Sequence, residues 1–220
     1  MGNNTSDQRA YPSYTDKRAS VEVVGEGIVT ASPDRAAAVL GAVTEGPVLQ
    51  TVQAENAAIV MSIINSMLND GIPRENIQTY DFRIEIQYDY VDGKQIFRGY
   101  KVTHLLQITS DRVGQIGMLV DFAVSHGANT VAGVRFTMAN PQYFQNQALA
   151  IAIQNARNKA ATIANTLGVV LSVAPIQVEE LRRPAETVPF QAAALSESAA
   201  TPIQPGQLTV YGAVRMVYSY

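Results

Sequence analysis

The chain has 220 residues, of which 47% are hydrophobic and 16% charged, and its formal net charge is −3 at pH 7. This composition is that of one large globular domain or of two small intertwined ones, and its low charged fraction predicts an apolar surface suited to a subunit interface. The charge balance provides no basic face for phosphate groups, so nucleic acid is not expected as a partner. The absence of cysteine excludes disulfides, thiol nucleophiles and cysteine-based metal sites.

The N-terminal segment, residues 1–18, is polar and predicts a flexible arm whose large apolar groups are Tyr11 and Tyr14. It lacks the apolar stretch of a secretory signal, and no run in the chain approaches the roughly 18 apolar residues of a membrane span. As written, the sequence indicates a cytoplasmic protein without a membrane span. The alternative is a processed form of an exported envelope protein, or a cell-surface or spore-surface protein.

Two strands open the folded part, at 20–30 and 35–45, and the turn at 32–34 predicts that they form a hairpin. Gly25 and Gly27 indicate either a bulge or a close approach of another backbone. With Glu26 between them they superficially resemble a dinucleotide loop. No helix follows to receive a pyrophosphate, so the structural interpretation is preferred.

A first helix is predicted over 48–70 and ends at Gly71. Its inward positions follow one another at steps of three or four residues, namely Val52, Asn56, Ile59, Ile63 and Met67. A second helix is predicted over 111–126, capped by Ser110 or Asp111. A third, over 140–167, opens on Asn140-Pro141 and is rich in alanine, which allows a neighbouring element to approach closely.

A long hairpin is predicted over 77–110. Its first arm alternates, with one apolar stripe consisting of Tyr80, Phe82, Ile84, Ile86, Tyr88 and Tyr90. Asp92-Gly93 is a turn signal. A two-residue loop would pair even positions with odd ones, whereas a three-residue loop with Gly93 in a G1 bulge pairs Tyr88 with Ile96 and Ile84 with Tyr100. The three-residue loop keeps one face buried and is therefore predicted.

The aromatic stripe has two interpretations. In the first it is core beneath a helix. In the second the tip of the hairpin extends past the helix and meets another subunit through Tyr88, Tyr90 and Phe97. Tyr11 and Tyr14 of the arm are further candidate self-assembly contacts, because the extended Tyr11-Pro12-Ser13-Tyr14 segment suits addition to the edge of a neighbour's sheet.

Strands at 130–139 and 169–181, a mobile loop at 182–205 and a last strand at 206–220 complete the chain. The order ββαββαβαβ plus a terminal β predicts an α+β fold, with long antiparallel hairpins and helices packed on one face. Two intertwined sub-domains are expected, ββαββ over about 19–110 and αβαβ over 111–220, with the C-terminal strand returning to the first.

Candidate chemistry is sparse. His104 and His126 are the only histidines, and a metal site needs three or four converging ligands, so no metal is predicted. Four carboxylates share the polar face of the first hairpin arm, which favours a solvated face or the rim of an interface: Asp81, Glu85, Asp89 and Asp92. No serine lies in a nucleophile elbow, so no catalytic residue and no cofactor are assigned.

Short sequence pieces in a characteristic order and spacing carry a family resemblance over about residues 20–220. They are Val23-Val24-Gly25-Glu26-Gly27, Pro33-Asp34, Ala54-Glu55-Asn56, Gly71-Ile72, Ile77-Gln78-Thr79, Gly99-Tyr100, Gly127-Ala128-Asn129, Phe136, Ala148 to Gly168 and Pro205-Gly206. The chain resembles the SIMPL-domain family. The resemblance implies no catalytic set. It implies bacterial relatives that are often exported and linked to oxidative stress, one of which forms a ring-like homo-oligomer, and a mammalian relative that binds a kinase.

The function expected from sequence is therefore a non-enzymatic homo-oligomeric scaffold or stress-related protein of the SIMPL type. A monomeric or dimeric module that binds a protein partner through the 182–205 loop or the arm is the first alternative. An enzyme with an unrecognised site is the second.

Overall fold

A computed structural model describes residues 19–181 and 201–220. The arm, with Tyr11 and Tyr14, and most of the 182–205 loop lie outside the described residues. The strands are β1 (Ser20–Ala31), β2 (Arg35–Gly46), β3 (Ile77–Val91), β4 (Lys94–Ser110), β5 (Thr130–Thr137), β6 (Gln177–Glu180) and β7 (Leu208–Ser219). The helices are α1 (Leu49–Asn69), α2 (Ile116–Ser125) and α3 (Pro141–Leu167), and this order confirms the predicted α+β fold.

The chain forms two compact units, each assembled from distant stretches. Within the described residues the first unit takes 19–28, 145–181 and 211–220, and the second takes 29–144 and 201–210. Neither unit coincides with the stretch 19–110 or 111–220. The C-terminal strand does return to the N-terminal one, because β7 lies between β1 and β6 in a three-stranded sheet.

In the first unit, α3 lies unusually close to the sheet. A Cβ added to Gly25 would overlap the carbonyl oxygen of Ala152, and one added to Gly27 would overlap that of Ala148. The helix faces these glycines with a buried alanine row, Ala148, Ala152, Ala156, Ala160 and Ala164. Of the two sequence interpretations of Gly25 and Gly27, the close backbone approach is confirmed.

The predicted hairpin of β1 with β2 is wrong. β1 pairs with β7, while β2 belongs to the other sheet, between β4 and β5. The turn between them is not closed as a hairpin turn. Instead the Asp34 carboxylate accepts a hydrogen bond from the backbone N–H of Ala139, at 2.6 Å. The Pro33-Asp34 signal identified a turn, but a turn does not specify which strands pair across it.

The second unit is a four-stranded sheet in the order β3-β4-β2-β5, with α1 and α2 on one face. The core consists of alternate residues of β2 and the inner half of β4 against both helices. Ala36, Ala38 and Leu40 of β2 are completely buried. The small alanines let the helices sit close to the strand.

Two local predictions need correction, and a third is confirmed. The predicted cap of α2 by Ser110 or Asp111 is wrong, because α2 begins at Ile116 after a 3₁₀ turn and no side chain caps it. The Ser110 hydroxyl instead accepts a hydrogen bond from the Arg112 N–H at 3.1 Å, and Asp111 forms an ion pair with Arg35 at 3.1 Å. The strand expected over 169–181 is reduced to β6, since Pro175 offers no N–H for a regular ladder. At Asn140 the prediction is confirmed, as its side chain accepts from the Tyr143 N–H at 3.3 Å.

A buried amide joins α1 to the sheet. Asn56 is 1% exposed, and its Nδ2 donates to the carbonyl oxygens of Ala42 at 3.0 Å and Val102 at 3.2 Å. These carbonyls belong to β2 and β4, the two central strands. Since both bonds are buried, the amide holds the helix in one position along the sheet.

Replacing Asn56 with alanine is expected to destabilise the fold by about 2–3 kcal/mol, because two buried carbonyls lose their additional donor and a void remains. Urea unfolding followed by circular dichroism measures this effect. Gln53→Ala, on the exposed side of the same helix, is the matched control and is expected to change stability by less than about 0.5 kcal/mol. Equal losses in the two variants would contradict the assignment.

Gly27→Ala is expected to destabilise the first unit by at least about 2 kcal/mol, because the new methyl group would overlap the Ala148 carbonyl and force α3 away. Thermal unfolding is the measurement. Gly114→Ala is the control, since a Cβ there meets nothing within 4 Å. If both variants unfold at the parental temperature, the close packing of α3 on β1 does not hold.

Candidate self-assembly surface

The hairpin of β3 and β4 turns at Asp92 and Gly93, which form a two-residue loop. Val91 pairs with Lys94, and the loop residues have φ of 52° and 76°. Two successive positive φ values define the type I′ turn that suits the twist of a hairpin. The predicted three-residue loop with a G1 bulge is therefore wrong.

Bulges farther along the arms restore the alternation between the two faces of the hairpin, which the predicted three-residue loop would have preserved. Between the pairs Tyr88–Phe97 and Gln87–Gly99, β4 carries an extra residue, Arg98. Beyond this bulge Ile84 lies opposite Val102, where the sequence prediction had Tyr100. The turn and the bulge together allow a tight loop and one continuous apolar face.

The bulge also decides which residues share that face near the tip. Phe97 lies opposite Tyr88 and joins the stripe, whereas Ile96 lies opposite Asp89 on the other face. A second bulge, at Tyr80, removes this residue from the stripe. Tyr80 lines a hollow on the opposite side of the sheet with Ala37, Val39 and Gln107.

Most of the stripe is exposed, so its interpretation as core beneath a helix is wrong. The described chain leaves between 42% and 74% of each of the following side chains exposed: Phe82, Ile84, Ile86, Tyr88, Tyr90 and Phe97. We call this set the hairpin surface. Of β3, only Ile77 at its start packs against the core cluster.

The tip of the hairpin surface is organised by ring contacts. The Tyr88 and Phe97 rings meet edge to face with centroids 6.4 Å apart, and Phe97 meets Tyr100 in the same way at 5.3 Å. Such contacts restrict the side-chain rotamers. A second protein would therefore meet a partly ordered aromatic patch.

The opposite face of the hairpin is charged, with ion pairs near the tip and along β3. Arg83 contacts Asp81 at 2.8 Å, and Arg98 lies 3.5 Å from Glu45 and 4.0 Å from Asp89. Their side chains are 44–60% exposed, except that of Asp81, which is 27% exposed. They lie on the face that points away from the hairpin surface.

The two histidines lie in different places. His104 is half-buried on β4, where its ring meets Phe82 at 5.2 Å and its Nε2 lies 3.4 Å from the Thr79 hydroxyl. His126 ends α2, with its Nδ1 2.8 Å from the Phe122 carbonyl oxygen.

Across residues 19–181 and 201–220, no group of three or more His, Cys, Asp or Glu side chains is placed to hold a metal.

Of the predicted contact residues, the structure brings Tyr88, Tyr90 and Phe97 together at the hairpin tip. Tyr11 and Tyr14 lie outside the described residues, so their role stays a prediction. Sequence reasoning missed the exposure of Phe82, Ile84 and Ile86. The 15-residue length of β3 is the signal that was available, because a helix lying across a sheet rarely covers so long a strand.

Comparison with known proteins agrees with the resemblance. The model of the SIMPL family, described as a protein of unknown function (DUF541), matches residues 21–218. The chain belongs to the SIMPL family.

Curated relatives include the 26 kDa periplasmic immunogenic protein of Brucella melitensis, 29% identical over 181 residues, which are 80% of this chain and 72% of the relative. The protein of the same name from Brucella abortus has the same identity and coverage. Uncharacterized protein YggE of Escherichia coli is 28% identical over 68% of this chain and 62% of its own length.

Family pieces recognised in the sequence serve the fold at their places in the structure. Besides Asn56 on α1, the Asn129 side chain accepts from the Val43 N–H and donates to the Val43 carbonyl oxygen, both at 2.8 Å, and so continues β5 alongside β2. A Cβ on Gly99 would stand 2.6 Å from the Gly46 carbonyl oxygen. These SIMPL residues hold strands together, while the hairpin surface faces outward.

None of the helices in the described ranges has the length and apolar character required to span a bilayer.

His104 predicts a pH effect. Burial lowers its pKa below the ordinary 6.5 by disfavouring the charged ring. The unfolded chain then binds the proton more tightly, so stability is complete above about pH 6.5 and falls as the pH drops below it. Urea midpoints at pH 7.5 and 5.5 measure this loss.

His104→Gln is expected to reduce this loss, and His126→Gln, which removes the chain's other histidine, is the control. A pH dependence that disappears only in the His126 variant would contradict the assignment.

Proposed function

We propose that this SIMPL protein is a non-enzymatic subunit that assembles with its own copies through the hairpin surface. The observation that carries the proposal is the exposed apolar stripe of the β3–β4 hairpin, with Ile84 and Tyr88 each 42% and Ile86 51% exposed. Contiguous apolar side chains on a surface are costly in water unless a partner covers them.

The chemistry of the surface suits a protein partner. Its centre is aliphatic and its tip is aromatic, with tyrosines that tolerate a half-wet position. Charged residues lie on the opposite face, where Arg83 and Arg98 already have carboxylate partners. Both arginines are therefore already paired, which supports an interface role over a catalytic one.

The compartment and the stress role follow from the family and not from the hairpin. The Brucella relatives are called periplasmic by name, and we propose the same compartment and a role in envelope stress for this chain. Cell fractionation of the producing bacterium tests the compartment. Recovery with the cytoplasmic markers would overturn it.

The proposed assembly is tested by light scattering after size exclusion at micromolar concentration. We expect a mass of several subunits that withstands dilution, where the monomer has 23.7 kDa. Phe97→Ser, which removes an aromatic ring from the tip, is expected to shift the mass toward the monomer. Tyr143→Ser, at a similarly exposed aromatic residue on α3, is expected to leave the mass unchanged.

A parental protein that runs as a 23.7 kDa monomer would overturn the proposal and favour a module that binds a different protein. An equal effect of Phe97→Ser and Tyr143→Ser would locate the interface elsewhere.

A further inference from the structure

The outer edge of β3 is the longest unpaired strand edge in the described chain. β3 stands at the end of its sheet, and among residues 19–181 and 201–220 no strand pairs with its outer side. It has 15 residues, and all those from Phe82 to Ile86 are exposed. Long exposed edges are templates for pairing with another strand.

Two copies of β3 can pair antiparallel with matching side chains opposite each other. From Asp81 onward, past the bulge at Tyr80, β3 is regular. If two copies run antiparallel with Ile84 facing Ile84, Phe82 faces Ile86 of the second copy, which joins apolar groups on one face. On the other face Arg83 falls opposite Glu85 of the second copy, twice by symmetry.

Other registers match less well. Centring on Arg83 or Glu85 places like charges opposite each other. Centring on Ile86 places Arg83 opposite Asp89, which is already near Arg98 at 4.0 Å, and sets Asp81 opposite Val91. With Ile84 at the centre, Arg83 lies opposite Glu85 of the second copy, and Glu85 makes no ion pair within the described residues. Arg83 then lies between its own Asp81 and the second copy's Glu85.

We propose that two copies of this chain pair antiparallel along β3, on a two-fold axis at Ile84, to form a continuous eight-stranded sheet. The inference rests on the proposed self-assembly and specifies its geometry. The two hairpin surfaces then lie side by side on one face. Further copies would add through the remaining apolar area.

The absence of cysteine allows a direct test with single-cysteine variants of the full chain. In the proposed register two Ile84 Cα atoms are about 5 Å apart, within disulfide range, whereas two Ile86 Cα atoms are about 13 Å apart or more. Ile84→Cys is expected to form a covalent dimer on mild oxidation, reversed by reductant, at about ten times the yield of Ile86→Cys. The two positions share a strand, a face and a similar exposure.

A charge exchange provides an independent test. Arg83→Glu and Glu85→Arg each bring like charges together in the pair and are expected to weaken it about ten-fold or more. An equimolar mixture of the two variants restores both ion pairs and is expected to recover pairing. In a register centred on Ile86, Glu85→Arg would face Gln87 and change little.

The outcomes separate the two proposals. Preferential crosslinking of Ile86→Cys, or no rescue in the mixture, overturns the Ile84 register. A multi-subunit mass with no crosslink at either position overturns pairing along β3 but leaves the proposed function standing. A monomeric parental protein removes both.

Discussion

The second unit depends on the fact that its helices cover one face of the sheet over β2 and the inner half of β4. Helix α1 is held there by the Asn56 amide, which donates to carbonyls of both central strands. The sheet extends beyond this covered area, because β3 and the outer half of β4 continue to the turn at Asp92. The apolar stripe on that extension has no core to join, so a structural constraint on helix position creates the exposed surface.

In the first unit, small side chains fix the position of the helix on the sheet. Glycines on β1 face the alanine row of α3 at distances that leave no room for a Cβ. Close backbone packing of this kind gains dispersion contacts without long side chains. Both units therefore devote their family-specific residues to packing and strand closure, and the outward residues of the hairpin carry the features that suggest a function.

Local signals predicted much of the fold. Periodicity located α1, turn residues located the hairpin tip, and Asn140-Pro141 located the start of α3, because these features depend on residues a few positions apart. The pairing of β1 with β7 was not accessible in this way, since nothing near Ser32-Pro33-Asp34 reports on a strand that begins at Leu208. The register of the hairpin failed for a different reason. A tight turn and a distant bulge at Arg98 compensate each other, and alternation alone cannot distinguish them from a looser turn.

By itself the sequence determined the α+β class, the order of the elements and the family to which the chain belongs, whereas at Gly25 and Gly27 it left a bulge and a close backbone approach as alternatives. Only the tertiary structure decided that the stripe of β3 lies outside the core and that Phe97, not Ile96, shares its face. Alternation states which residues are on the same side of a strand. Whether that side is covered depends on where a helix comes to rest, and this is set by contacts between residues far apart in the chain.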